Sequence, residues 1–149
     1  MNFNELLQIE GVVIKREKGE HVFLQGDSDR SLYFIQSGLL KAYYTSEDGK
    51  ESVKSFLLPN NIIGSLASSY LGGVCSFRLL CLEPATLTKI PFEKIREHSK
   101  KDIEVANDMI DLLLNFAMKK ERREYDLLCL SAEERFCMLE KKSQYFWKK

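Results

Sequence analysis

Between residues 12 and 90, short β-prone runs alternate with turn residues, and this alternation limits the possible folds more than any other feature of the chain. Gly19, Gly26 and Gly49 stand between runs, where the backbone must reverse or take a positive φ. The runs are rich in Val, Ile, Leu, Phe and Tyr, and they cover residues 12–15, 21–24, 32–36, 39–45, 53–58, 77–82 and 85–90. Strands at intervals of about ten residues, without a helical period between them, predict a closed or double-sheet all-β roll.

The ends of the chain have a helical pattern instead. From Asp102 the sequence reaches its last residue without a glycine or proline, and a shorter helical turn begins after Pro91. Phe3, Leu6 and Leu7 predict an amphipathic opening helix. The predicted fold class is therefore mainly β with helices: a double-stranded β-helix or jelly-roll followed by a long C-terminal helix.

The predicted long helix carries two apolar stripes. The first has a spacing of three and then four residues and comprises Ala106, Met109, Leu113, Phe116, Leu127 and Leu130. The second lies on another face and comprises Ile103, Ile110, Leu114 and Ala117. A helix that is apolar on two sides cannot leave both in water, so one stripe would pack on the roll and the other on a partner helix. We interpret the first stripe as a homodimer interface, although a single helix buried in its own chain explains the same pattern.

Charge and hydropathy exclude several classes of protein. Twenty-two Lys and Arg balance 22 Asp and Glu, so the formal net charge is zero. A chain that bound nucleic acid with most of its surface would show an excess of basic residues. Asn2, Asn4, Glu5 and Glu10 interrupt the first ten residues, so these residues do not read as a secretory signal. No apolar run reaches the roughly 18 residues of a membrane span. We therefore expect a cytoplasmic protein without a membrane partner.

The cysteines carry no metal-binding pattern. Cys75, Cys81, Cys129 and Cys137 include no C-x-x-C pair, so a zinc or iron–sulfur site is not expected. Four cysteines are also too few for a disulfide scaffold in a chain of this length. We expect reduced thiols buried in the core.

The sequence also lacks the residues of a catalytic centre. His21 and His98 are its only histidines, and a metal-dependent enzyme with a roll of this kind needs two or more histidines that converge with a carboxylate. No Ser or Cys stands in a strand–turn–helix elbow with a matched base. The chain is therefore predicted to be no enzyme, with neither catalytic residues nor a metal site.

Several glycine turns and strands occur in an order that resembles a known family. The order resembles the cyclic-nucleotide-binding sensor domain of the CRP/FNR transcription regulators over nearly the whole chain. The residues that carry it are Lys18-Gly19-Glu20, Gln25-Gly26-Asp27, Leu32-Tyr33-Phe34-Ile35-Gln36-Ser37-Gly38, Asn61-Ile62-Ile63-Gly64 and Glu83-Pro84-Ala85-Thr86-Leu87. The resemblance implies a homodimeric sensor of a transcription regulator that binds DNA, with RNA polymerase as a further partner of the full-length protein.

The resemblance breaks at the ligand-binding residues. In the family, a Glu after the cassette glycine binds the ribose hydroxyl and an Arg ten residues later pairs with the cyclic phosphate; the matched positions here are Ser65 and Cys75. Arg78, three positions further along an extended strand, faces the opposite way. On the long helix, Lys120 and Glu121 replace the family's Thr and Ser. We therefore expect no binding of cyclic AMP and no cofactor.

A modified pocket is nevertheless predicted at the cassette. Its lining would comprise Ile63, Gly64, Ser65, Leu66, Ser68, Ser69, Cys75, Ser76 and Lys120. Such a pocket suits a ligand with less charge than a cyclic nucleotide, and a collapsed pocket without a ligand is the alternative. Iron–sulfur sensing in FNR-like relatives uses N-terminal cysteines, and residues 1–74 contain none.

Three parts of the chain are predicted. Residues 1–101 form the roll with its N-terminal helix, residues 102–130 the dimerisation helix, and residues 131–149 a hinge and the first helix of a truncated winged helix-turn-helix. Ser131 and Glu134 match a capping box for that helix. We expect either an excised sensor domain or a protein that has lost its DNA-binding domain. The alternative function is a standalone, ligand-free dimerisation module.

Overall fold

A computed structural model describes residues 1–129, 133, 134, 136 and 137. Helix α1 opens the described chain, strands follow, and helices close it. The elements are α1 (Phe3–Glu10), β1 (Val12–Arg16), β2 (His21–Phe23), β3 (Ser31–Ser37), β4 (Leu40–Thr45), β5 (Glu51–Leu57), β6 (Ile62–Ile63), α2 (Leu66–Leu71), β7 (Arg78–Cys81), β8 (Ala85–Pro91), α3 (Phe92–Ser99) and α4 (Ile103–Cys129).

The strands form two four-stranded antiparallel sheets. One sheet has the order β1-β8-β3-β6 and the other β2-β7-β4-β5. Most neighbours in the sheets are distant in sequence, as in the pairing of β1 with β8 from Val12↔Lys89 to Arg16↔Ala85, whereas β4 and β5 are consecutive strands. The two-sheet roll and the long helix after it confirm the predicted fold class.

The inner faces of the two sheets enclose the first of two apolar clusters. Alternate residues point inward, so Leu79 and Cys81 on β7 are fully buried while Arg78 and Leu80 are partly exposed. Phe23 lies at the centre, with its ring 5.9 Å from the Tyr33 ring and 5.2 Å from the Phe77 ring. This cluster also includes Cys75 and Ile63, so the predicted pocket residues border the packed interior of the roll.

The second cluster joins the helices to the end of the roll. Val105 and Met109 of α4 pack with Leu6 of α1, Ile95 of α3 and Ile90 of β8. Val105, Leu6 and Ile95 have no exposed surface. Burial of one aliphatic side chain stabilises a fold by about 1.5–3 kcal/mol, so this cluster fixes the first turns of α4 against the roll.

Helix α2 was not predicted from the sequence. It has only six residues, too few to show a helical period. Ser65 begins it as the N-cap, and Gly72 ends it in the left-handed conformation at φ 70°. Just before it, a Cβ on Gly64 would lie 2.5 Å from Leu32 Cδ2 and 2.8 Å from the Ser31 carbonyl oxygen, so only glycine lets β6 pack this closely on β3.

Helix α4 is the longest element, with 27 residues. None of the helices in the described residues is long and apolar enough to cross a membrane. The N-terminal half of α4 contacts α1 and α3, whereas most of the later residues of α4 are exposed.

We predict that Ile95→Ala lowers the free energy of unfolding by about 2–5 kcal/mol, because it leaves a cavity in the cluster that joins the helices to the roll. Urea denaturation followed by circular dichroism measures the change. Ile9→Ala is the matched control: Ile9 is 63% exposed on α1, and its loss should change stability by no more than about 0.5 kcal/mol. Equal effects of the two substitutions would contradict the assigned core.

Candidate functional site

Six of the predicted pocket residues lie together where β6 leads into α2. Ile63, Ser65, Ser68, Ser69 and Cys75 are buried, and Gly64 joins Ile63 to Ser65 in the chain. The backbone of Cys75 is held on both sides: its N–H donates to the Asp27 carbonyl at 2.8 Å, and its carbonyl accepts from the Gly26 N–H at 2.8 Å. The loop before β7 therefore fixes the Cys75 thiol beside α2.

The buried polar side chains of the cassette, the serine hydroxyls and the Cys75 thiol, are neutral. Burial raises the pKa of the Cys75 thiol, and the Asp29 backbone N–H and the hydroxyls of Ser68 and Ser65 oppose that rise. The contact between Ser68 and the thiol lacks good hydrogen-bond geometry, because Ser68 Oγ, like Ser69 Oγ, is buried without a hydrogen-bond partner among the described residues. Three hydroxyls and a protonated thiol supply no charge to balance a buried phosphate.

A charged group that acts on this thiol is an acid, Asp29. Its charge acts to raise the pKa of Cys75. Asp29 also accepts a short hydrogen bond from the Tyr33 hydroxyl and another from the Ser31 N–H at 2.9 Å. Burial, followed by the Asp29 hydrogen bond, raises the pKa of Tyr33. No sequence pattern indicates Asp29, whose carboxylate would repel a cyclic phosphate placed at Cys75.

Three other predicted pocket residues lie at the surface. Leu66 and Ser76 are exposed on α2 and before β7, and Lys120 is exposed on α4. Burial of Lys54 on β5, followed by the charges of Arg123 and then Lys120, lowers the pKa of the Lys54 ammonium. The structure therefore brings together the cassette residues and places Lys120 near β5.

Arg78 points away from the roll interior, as the alternation along its strand predicts. It lies opposite Tyr43 in the β4–β7 ladder, while its neighbour Leu79 is fully buried inside. The Tyr43 hydroxyl and His21 Nε2 are 2.8 Å apart on this outer face. Burial, followed by the Arg78 charge, lowers the pKa of His21. Arg78 is therefore not placed to act as the arginine that the resemblance implies at position 75.

An apolar groove of about 510 Å³, which the sequence did not reveal, lies outside the roll between α2, α3 and α4. Tyr70 of α2 packs against Phe92 of α3 with their ring centroids 6.4 Å apart. The Arg96 guanidinium lies 5.0 Å from the centroid of the Tyr70 ring. The lining residues are Leu66, Ala67, Tyr70, Leu71, Phe92, Arg96, Ser99, Met109 and Leu113.

The two apolar stripes of α4 differ in their surroundings. In the first stripe Met109 belongs to the core of its own chain, and Ala106 and Phe116 are half-buried. Leu113 and Leu127 in that stripe are 37% and 47% exposed, and Leu130 lies outside the described residues. In the second stripe Ile103 is 79%, Ile110 54% and Leu114 56% exposed. The second stripe therefore presents the larger apolar surface.

The described residues contain no group of three His, Cys, Asp or Glu side chains that could hold a metal ion. Cys75 and Cys81 are buried as expected, but Cys129 and Cys137 are exposed, so the expectation that all four thiols are in the core was wrong. Burial raises the pKa of Cys81 to about 11. The residues described here do not fit an iron–sulfur cluster, which needs several thiolates close together.

Comparison with known proteins supports the same fold. The model of the cyclic nucleotide-binding domain family matches residues 13–102. This match covers both sheets, α2 and α3, which is more than half of the chain.

Curated relatives are similar over most of the chain. The anaerobic regulatory protein of Aggregatibacter actinomycetemcomitans is 31% identical over 138 residues, which are 91% of this chain and 53% of the relative. The fumarate and nitrate reduction regulatory protein of Salmonella typhi is 33% identical over 116 residues, which are 76% of this chain and 46% of the relative. The chain thus spans about half the length of these curated relatives.

Solved structures share the architecture. A transcriptional regulator from Thermotoga maritima superimposes with a TM-score of 0.68 at 26% identity, covering 86% of this chain and 98% of that one. The c-di-GMP responsive global regulator CLP of Xanthomonas campestris has a TM-score of 0.77 at 15% identity. The superposition covers 93% of this chain and 69% of that one. The second likeness is evidence of a common fold.

These relatives are regulators and not enzymes, in agreement with the predicted lack of a catalytic centre. The family match extends through the cassette region, which includes Ser65 and Cys75. The chain belongs to the cyclic nucleotide-binding domain family and, within it, to the CRP/FNR transcription regulators.

Proposed function

We propose that the chain is the sensing and dimerisation part of a CRP/FNR-type regulator whose roll does not bind cyclic AMP. The observation that carries this proposal is the neutral, buried cassette at Ser65 and Cys75, with the Asp29 carboxylate acting on the thiol. In this function, residues 1–101 would sense an effector, and residues 102–130 would form the homodimer. Residues 131–149 would begin the connection to a DNA-binding domain. Residues 130–132, 135 and 138–149 lie outside the described structure.

The sensing signal would pass through the helices that join the roll to α4. Helix α2 starts at the cassette, and Tyr70 on it contacts Phe92 of α3. Phe92 and Ile95 in turn pack in the same cluster as Val105 and Met109. A displacement of α2 would therefore shift α3 and α4 together, which supports a coupling from the cassette to the dimer helix.

We also propose that the homodimer forms through the second stripe of α4 and not through Met109. Ile103, Ile110 and Leu114 expose more than half of their surfaces, whereas Met109 is already buried in its own chain. A neighbouring copy would remove these side chains from water in a symmetric pair. Leu113 lies at the edge of the same face and would join the interface.

DNA would be bound through a domain that follows this region in the full-length regulator, with RNA polymerase as a further partner and the cytoplasm as the location. The names of the relatives and their roughly twofold greater length support this proposal. The alternative is a standalone, ligand-free dimerisation module. The packed aromatic interior around Phe23, Tyr33 and Phe77 favours that alternative over a large internal ligand.

We predict that cyclic AMP and cyclic GMP do not bind at micromolar concentration. Loss of a charged partner for a buried ligand group costs about 2–5 kcal/mol, and both the carboxylate and the guanidinium are replaced here. Isothermal titration calorimetry of the folded chain should give no heat of binding. A dissociation constant below about 100 μM would contradict the proposed loss of the nucleotide site.

We predict that Ile110→Glu converts the dimer into a monomer without unfolding the roll, because the substitution sets two carboxylates against each other at the interface. Light scattering at tens of micromolar should change from about twice the chain mass of 17.3 kDa to that mass, with an unchanged circular dichroism spectrum. Met109→Glu is the contrasting variant and should destabilise the fold, because it buries a charge in the second cluster. A monomeric wild-type chain, or a dimer that survives Ile110→Glu, would refute this interface.

A further inference from the structure

An irregularity in the β4–β5 ladder turns a lysine toward the roll interior. Ala42 lies opposite Ser55, and the next residue, Tyr43, lies opposite Val53, so Lys54 has no partner across the ladder. An extra residue of this kind forms a β-bulge, which redirects a side chain out of the normal alternation. The Lys54 ammonium lies 5.3 Å from the centroid of the Phe77 ring, which belongs to the interior cluster.

Helix α4 places a second cation beside the first. The Arg123 guanidinium carbon lies 5.8 Å from the centroid of the Tyr44 ring, and Arg123 Nη1 donates to the Lys54 carbonyl oxygen at 3.4 Å. The Tyr44 and Phe77 rings are themselves 6.3 Å apart in an edge-to-face contact. Two cations therefore cover two adjoining aromatic rings where α4 crosses β5.

Neither Lys54 nor Arg123 is paired with a carboxylate among the described residues. Lys119 and Lys120 add two further cations on α4. Burial, followed by the charges of Arg123, Lys120 and Lys119, lowers the pKa of Lys54. No ion pair joins Lys54 or Arg123 to a carboxylate among the described residues, whereas Lys41 and Arg122 nearby each have one. Half-buried cations without counter-ions destabilise a fold, so their presence calls for an anion.

We propose that Lys54 and Arg123 hold a small phosphate-bearing anion between β5 and α4, with donors other than the cassette residues Ser65 and Cys75. An ammonium offers three N–H donors and a guanidinium five in a planar fork, and both suit phosphate oxygens. The donors of Lys54 have no acceptor among the described residues, and Arg123 uses one of its donors on a backbone oxygen. Lys119 and Lys120 strengthen the attraction for a group with more than one negative charge.

Such an anion would tie the later turns of α4 to the roll. Val105 and Met109 already fix the first turns, and Arg123 lies several turns beyond them. Occupancy of the site would therefore set the position of the part of α4 that leads toward the end of the chain. This consequence rests on the proposed sensor function, whereas binding of the anion does not.

The test compares thermal unfolding of the 149-residue chain in inorganic phosphate and in sodium chloride at equal ionic strength. Phosphate should raise the Tm of the wild-type chain by a few degrees, and the gain should increase with phosphate concentration. Lys54→Gln and Arg123→Gln should lose this gain. In chloride, Lys54→Gln should raise the Tm by roughly 2 °C, because it removes a half-buried charge that its neighbours repel.

The control is Lys101→Gln, which removes an exposed lysine from the turn before α4 and should keep the full phosphate gain. The proposal is overturned if Lys54→Gln keeps that gain, or if its Tm in chloride falls. It is also overturned if Lys54→Gln weakens dimerisation on dilution, because a carboxylate of the partner copy would then be the counter-ion. Light scattering and the cyclic AMP titration test the proposed function separately, since neither depends on phosphate binding.

Discussion

The position of α4 depends on one apolar cluster, in which Val105 and Met109 pack with α1, α3 and the end of β8. This contact orients the helix, because residues on one face cannot leave the cluster without exposing several buried side chains. It therefore also determines which apolar residues of α4 remain in water. Ile103, Ile110 and Leu114 are left on the opposite face, and the proposed dimer follows from that division.

The two candidate ligand regions differ in their charge. At the cassette, neutral groups and the Asp29 carboxylate make a poor place for an anion. At the crossing of β5 and α4, Lys54 and Arg123 supply cations without described carboxylate partners. The chain keeps the family's roll and helix but concentrates positive charge next to α4 instead of at Cys75. A ligand at that crossing would act on the helix directly.

Much of the fold could be predicted from the sequence, because strand periodicity and glycine turns are local signals. The strand runs, the long helix and the outward direction of Arg78 follow from them. Helix α2 is too short to show a period, and the bulge at Lys54 depends on pairing between strands that no local pattern encodes. Both stripes of α4 are apolar, so only the packing of α1 and α3 decides that Met109 is buried and Ile110 exposed.

Cysteine cross-linking across the proposed two-fold axis tests this division of α4 most directly. In a chain whose exposed Cys129 and Cys137 are replaced by serine, Leu114→Cys places a thiol on the free face, and Leu112→Cys places one on the face packed against the core. Mild oxidation should convert the Leu114→Cys chain into a covalent dimer and leave the Leu112→Cys chain a monomer on a non-reducing gel. Cross-linking through position 112 and not through 114 would contradict the account.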